Sequence, residues 1–138
     1  MVVIKGKVVQ GMGVASLTLR LQMPYFAKLF PEIAGCHLAS INMELEQGLR
    51  VVNPDYVSPA IPWAGGSGET FSFLRVSFEG PIGSPLHAAW LYIPHSSPHY
   101  YNPFSIEVIA AHIDGVHYGL PCQLHIPKPH QQATLLTI

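Results

Sequence analysis

From Ser40 to Glu46 the chain alternates: Ile41, Met43 and Leu45 are apolar, and Ser40, Asn42, Glu44 and Glu46 are polar. Successive side chains of an extended strand project to opposite faces, so this two-residue period is that of a strand with one face buried and the other wet. Val14 to Leu21 shows the same period, with Leu17, Leu19 and Leu21 opposite Ser16, Thr18 and Arg20, and is expected to be a strand as well. Further strands are expected at 2–10, 49–53, 70–78, 87–93, 104–111 and 121–126. One short helix is expected from Pro24, a residue suited to a first helical turn, and Pro31 must end it or open a second short turn. Its Tyr25, Phe26, Leu29 and Phe30 form an apolar stripe, expected to plug one end of a barrel. Strands so outnumber the helix that the chain reads as mainly β.

Proline and glycine mark the connections. Residues 54–69, with Pro54, Pro59, Pro62 and the run Gly65-Gly66-Ser67-Gly68, read as one long loop of the kind that serves as a lid or binding segment, and 80–85 as a tighter turn. The tail is polar from Pro127 through Gln132, and its apolar end, 133–138, is expected to add a strand or to meet another subunit. A length of 138 residues suits a single domain, 1–138, with one core. Charged residues make up only 11% of the chain against 49% hydrophobic, so some apolar surface is expected to be covered by a ligand or by a second copy in a homo-oligomer. A formal charge of −1 without a basic run argues against a nucleic acid polymer as partner. Cys36 and Cys122 lack metal-type spacing; two cysteines could pair in an oxidising compartment, but more often they sit as buried thiols in a cytosolic protein. No apolar run approaches the roughly 20 residues that span a bilayer, and a soluble, cytoplasmic protein without membrane contact is expected.

Several residues carry potential chemistry. Gly11 and Gly13 permit a turn with bare, converging amides that suits an anionic phosphate, although a Gly-x-Gly between strands also serves as a plain hairpin. Ser40 and Asn42, two apart on a strand, project from one face, where a hydroxyl and an amide oxygen could share a magnesium ion or simply meet solvent. Glu107 interrupts the apolar run Ile106…Ile109-Ala110, a costly place for a carboxylate unless it is paired or faces a site. Tyr100 and Tyr101, beside Ser97 and His99, offer flat faces for stacking on a planar ring. Among the eight histidines, His95 and His99 with His87 or His112 could supply imidazoles to a transition metal, but no HExxH or Cys-x-x-Cys accompanies them.

The order of these features resembles the CTP-dependent riboflavin kinases typical of archaea. Those enzymes run from a strand into a Gly-x-Gly turn, a Tyr…Phe helix and a Gly-Thr-Leu-Asn motif, then a Pro-x-x-Thr-x-His loop and a strand reading Ile-Glu-Ile-Ile-Ala. Here the places are taken by Gly11-Met12-Gly13, Tyr25-Phe26…Phe30, Ala39-Ser40-Ile41-Asn42, Pro94-His95-Ser96-Ser97-Pro98-His99 and Ile106-Glu107-Val108-Ile109-Ala110. The resemblance covers most of residues 2 to 126 and implies a small closed six-stranded cradle-loop barrel with one short helix. It implies that Gly11 and Gly13 bind the nucleotide, that Ser40 and Asn42 hold Mg2+, and that Ser97, His99 and Tyr100 contact the substrate or its phosphate. Glu107 would act at the accepting hydroxyl of riboflavin, as a catalytic base if within reach. The chain departs from the pattern at Ala15, Ser16 and Thr18, where the family continues with glycine, a basic residue and phenylalanine, and at His95 and Ser96, where the family is often basic. Three readings follow: a phosphotransferase that moves a phosphate from CTP to riboflavin, a non-catalytic barrel of the same descent that binds a flavin, nucleotide or other small ligand, and a histidine-dependent metalloenzyme.

Overall fold

The computed structural model describes residues 1–10, 15–66, 68–96 and 102–136. The β-strands are β1 (Val2–Val9), β2 (Ile41–Leu45), β3 (Gly48–Val51), β4 (Tyr56–Val57), β5 (Phe71–Glu79), β6 (His87–Pro94), β7 (Ser105–Ala110), β8 (Pro121–Ile126) and β9 (Ala133–Leu136). Helix α1 spans Ala15–Leu29, a 3-10 turn spans Pro31–Ile33, and a single turn, α2, spans Pro129–Gln132. Antiparallel pairing runs β5-β6-β7-β2-β1-β8, and β8 pairs again with β5, which closes a six-stranded barrel. Strand β4 adds to the outer edge of β5, and β3 pairs with β9 as a separate ribbon.

Alternation within the strands sorts the side chains into two layers. Ile4, Val8, Met43, Leu45, Leu74, Val76, Phe78, Leu91, Val108 and Leu124 fill the barrel. A six-stranded barrel is narrow enough for side chains alone to fill it. The outward residues of β5, β6 and β7 would be wet in a bare barrel, yet Phe71, Phe73, Trp90, Tyr92 and Ile109 are buried. They pack against Leu19, Met23 and Phe26 of α1 and Ile33 of the 3-10 turn, forming a second core on the outside of the wall. Phe26 lies edge-on to Phe71 and Phe73, each with ring centroids 4.9 Å away. The helix therefore covers the side of the barrel, whereas the apolar stripe read from the sequence was expected to plug an end.

The expected strand over Val14 to Leu21 is corrected: from Ala15 onward this segment is helix. The buried positions Leu19, Gln22, Met23 and Phe26 recur at the helical spacing, while Leu21 is exposed. Pro24 lies inside the helix instead of starting it. Its missing N–H falls on the exposed face, where the freed carbonyl can meet water. The long connection 54–69 is not structureless: it contains β4 and a bridge between Ile61 and Glu69. The apolar end of the tail does add a strand, β9, against β3. Among the described residues, no helix is long and apolar enough to cross a membrane.

Candidate functional site

Strand register brings three of the expected residues together. Asn42 of β2 is the cross-strand partner of Glu107 of β7. Ser40, two residues before Asn42, donates its hydroxyl hydrogen to Glu107 Oε1 at 3.0 Å. Partners in an antiparallel pair hold their Cβ atoms about 4.5–5.5 Å apart, so the Asn42 amide and the Glu107 carboxylate are immediate neighbours. All three share the outward face of the wall, because Ile41, Met43 and Val108 take the inward positions. Glu107 is only 9% exposed, so the carboxylate that breaks the apolar run is both paired and drawn into the second layer.

Helix α1 contributes to the same neighbourhood. The Tyr92 hydroxyl of β6 donates to Gln22 Oε1 of α1 at 2.5 Å, and Gln22 is 2% exposed. Burial raises the Tyr92 phenol above its ordinary range, the nearby Glu107 charge raises it further, and the hydrogen bonds to Gln22 and Thr18 oppose the shift. Thr18, Gln22, Tyr92, Glu107, Ser40 and Asn42 thus line up as a polar seam beside an otherwise apolar helix–wall contact.

A cavity of about 200 Å³ lies at the barrel end where β6 finishes and β5 and β7 begin, and Glu107 is among the residues that line it. Leu49, Val51, Leu91, Ile93 and Ile106 supply its apolar wall, and Arg50, Ser72, His95, Asn102, Ser105 and Glu107 its polar positions. His95 is fixed through both ring nitrogens: Nδ1 lies 2.6 Å from Thr70 Oγ1, and Nε2 lies 2.7 Å from Ser72 Oγ. Desolvation lowers its pKa, with the Glu69 charge opposing, which favours the neutral ring. Glu69 ties the neighbouring loop together by accepting from Trp63 Nε1–H at 3.0 Å and from the Ser96 hydroxyl.

The remaining expected site residues, Gly11, Gly13, Ser97, His99 and Tyr100, lie outside the described residues, as does Tyr101. Val9, two positions before Gly11, pairs with Asn42, and Ser96, one position before Ser97, follows the cavity residue His95. For the histidine reading, both nitrogens of His95 are already engaged, and His87 begins the strand that His95 follows, about 26 Å away along β6 at 3.3 Å per residue. His112 pairs with Asp114 at 3.1 Å. Among the described residues, no three His, Cys, Asp or Glu side chains gather into a metal-binding set.

Sequence reasoning did not find Arg50. It falls on a four-residue strand with no motif around it, and only the fold sets that strand along the cavity. Gln22 and Tyr92 were likewise missed, since their meeting depends on where α1 lies. No protein-family model matches the chain, and no match is found among curated proteins.

Proposed function

We propose that this protein is a riboflavin kinase-like phosphotransferase that moves a phosphate from CTP to riboflavin, with Ser40, Asn42 and Glu107 at the transfer site. The observation that carries this reading is the contact of Ser40 and Asn42 with Glu107 beside a cavity, from positions 67 and 65 residues apart in the chain. A hydroxyl, an amide and a carboxylate present only hard oxygen donors, a set that fits Mg2+ better than a soft transition metal. Ser40 and Asn42 would hold the ion, which supplies charge neutralisation at the phosphates when bound. Glu107, which accepts the Ser40 hydroxyl hydrogen and is among the residues lining the cavity, would act on the accepting hydroxyl of the substrate. Phosphoryl transfer depends on positioning and charge more than on covalent chemistry, and a rigid sheet provides the first. Ser97, His99 and Tyr100 would meet the substrate, as the resemblance implies. Two unpaired thiols, each pushed up to about 11 by burial, fit a cytoplasmic setting.

A second reading, a non-catalytic barrel that binds a flavin or a nucleotide, is favoured by the largely apolar wall of the cavity. Purified protein with riboflavin, Mg2+ and each nucleoside triphosphate separates the two. The first reading expects FMN to form, fastest with CTP, and Glu107→Gln to slow it by about 10²-fold or more. Riboflavin binding without turnover would move the assignment to the second reading, and no binding of flavin or nucleotide would dismiss both.

A further inference from the structure

Strand register sets a histidine against two hydroxyls at the end of the barrel. Ser72 of β5 is the cross-strand partner of Ile93 of β6, and two residues farther along the same antiparallel pairing the His95 N–H donates to the Thr70 carbonyl at 3.2 Å. Thr70, Ser72 and His95 therefore share one face of the sheet. It is the inward face, since Leu74 and Val76, which continue from Ser72 at two-residue steps, fill the barrel, whereas Phe71 and Phe73 pack outside it. The His95 ring spans the two hydroxyls, Nε2 at 2.7 Å from Ser72 Oγ and Nδ1 at 2.6 Å from Thr70 Oγ1. Ser72 and His95 both line the cavity, whose apolar wall includes Leu49, Leu91, Ile93 and Ile106. A hydroxyl within about 2.6–3.2 Å of a base that a third group orients is the arrangement of covalent catalysis by serine. Desolvation of the ring favours the neutral form that a base requires.

We infer that Ser72 and His95 form a nucleophile–base pair, oriented by Thr70, that takes the acyl group of a small carboxylic ester. This chemistry is independent of the phosphotransferase proposed above, whose Ser40, Asn42 and Glu107 share the outward face of the wall. With Thr70 Oγ1 accepting from Nδ1–H, Nε2 presents its lone pair to the Ser72 hydroxyl. Ser72 Oγ bonds to the ester carbonyl carbon while its proton passes to Nε2 and the carbonyl pair moves onto oxygen. Return of that pair breaks the bond to the alkoxy oxygen, which takes the proton from Nε2 and leaves as the alcohol. Water then attacks the acyl-serine in the same way: its proton goes to Nε2, the bond to Ser72 Oγ breaks, Oγ recovers the proton and a carboxylic acid leaves. Asn102 lines the same cavity and its Oδ1 accepts from the Phe104 N–H at 3.0 Å, so its amide hydrogens are the donors for the carbonyl oxygen. The cavity, about 200 Å³, is smaller than the roughly 300–1,000 Å³ that holds a drug-sized ligand, and it suits an acyl chain of a few carbons. Thr70 orients the ring without a charge to stabilise the imidazolium, so turnover is slow and covalent capture is the sensitive readout.

An alkyl fluorophosphonate, which loses fluoride as Ser72 Oγ bonds to its phosphorus, tests the pair on the intact protein, and peptide mass mapping locates the label. The wild type is expected to carry the label at Ser72, His95→Gln and Thr70→Val to acquire it more slowly, the first by at least about 10²-fold, and Thr70→Ser to recover most of the rate. In kcat/KM, p-nitrophenyl butyrate should be cleaved at least about tenfold better than the decanoate, and Ser72→Ala should lose that activity. No label at Ser72 of the wild type, or an equal labelling rate in His95→Gln with an unchanged melting temperature, would overturn the pair. Equal cleavage of butyrate and decanoate would overturn the short acyl chain. If His95→Gln does not fold, Thr70 decides: a rate lost in Thr70→Val and recovered in Thr70→Ser supports the oriented pair, and equal rates in those two variants and the wild type refute it.

Discussion

Gly6 shows how closely β1 and β2 approach. A Cβ placed there would lie 2.3 Å from the Glu44 carbonyl oxygen and 2.9 Å from Met43 Cε, so only a hydrogen fits. Gly6→Ala should therefore destabilise the fold by about 1–3 kcal/mol in urea unfolding. Gly35→Ala, where nothing lies within 4 Å of the added methyl, should change stability by no more than about 0.5 kcal/mol. Equal effects at the two positions would contradict the close strand packing. Glu107 and Asn42 depend on the same register, because Gly6 opposite Leu45 and Asn42 opposite Glu107 belong to one continuous set of pairings through β2. The carboxylate at Glu107 was legible as an anomaly in an apolar run. Its partner was not, because the period of a strand says which face a residue takes and nothing about which strand lies next to it.

Helix α1 is held by two kinds of contact. Phe26 inserts between Phe71, Phe73 and Tyr92, and beyond its end Phe30 stacks on Tyr56 with ring centroids 4.5 Å apart. Outside these, Tyr56 donates to Glu32, Arg75 pairs with Glu32, and the Arg75 guanidinium lies 4.8 Å from the Trp90 ring centroid. The exposed ion pair adds little, about 0–1 kcal/mol, whereas the buried ring carries the seat of the helix. Phe26→Ala should cost about 3–5 kcal/mol, and Tyr25→Ala, at a ring that is 40% exposed, far less. A similar loss from both would place the helix on the wrong face. Most strands could be read from alternation because their residues meet only two environments. The helix start could not: Leu17, Leu19 and Leu21 satisfy a two-residue period, and the buried Gln22, a polar residue on the packed face, hides the helical one.

For the molecule as a whole, closure of β5 onto β8 leaves a polar contact across the seam. Glu79, 8% exposed, accepts from the Gly83 N–H at 2.6 Å, from His125 Nε2 at 2.7 Å and from Gln123 Nε2 at 3.1 Å. The Gly83 amide first and His125 next hold its carboxyl below the usual range. A carboxyl with a folded pKa below its unfolded value stabilises the fold above the unfolded value, about 4.3, and loses that contribution as pH falls through the folded one. Melting temperature measured from pH 7 down to pH 2 should fall on the acid side, and Glu79→Gln should flatten that fall. An unchanged acid limb in the variant would show that the seam does not depend on this charge. The cavity belongs to the same scale, since its walls come from β3, β5, β6 and β7 and from segments far apart in the chain. That is why Arg50 carried no signal in the sequence.

If Ser40 and Asn42 are the metal-side groups of the proposed phosphotransferase, the magnesium dependence of FMN formation must run through them. With CTP and riboflavin saturating, Asn42→Ala should raise the magnesium concentration needed for half-maximal rate by at least about tenfold relative to the wild type, with Ser40→Ala intermediate and both variants melting near the parent temperature. The same magnesium curve in all three proteins, or no FMN from the wild type at any magnesium concentration, would contradict it.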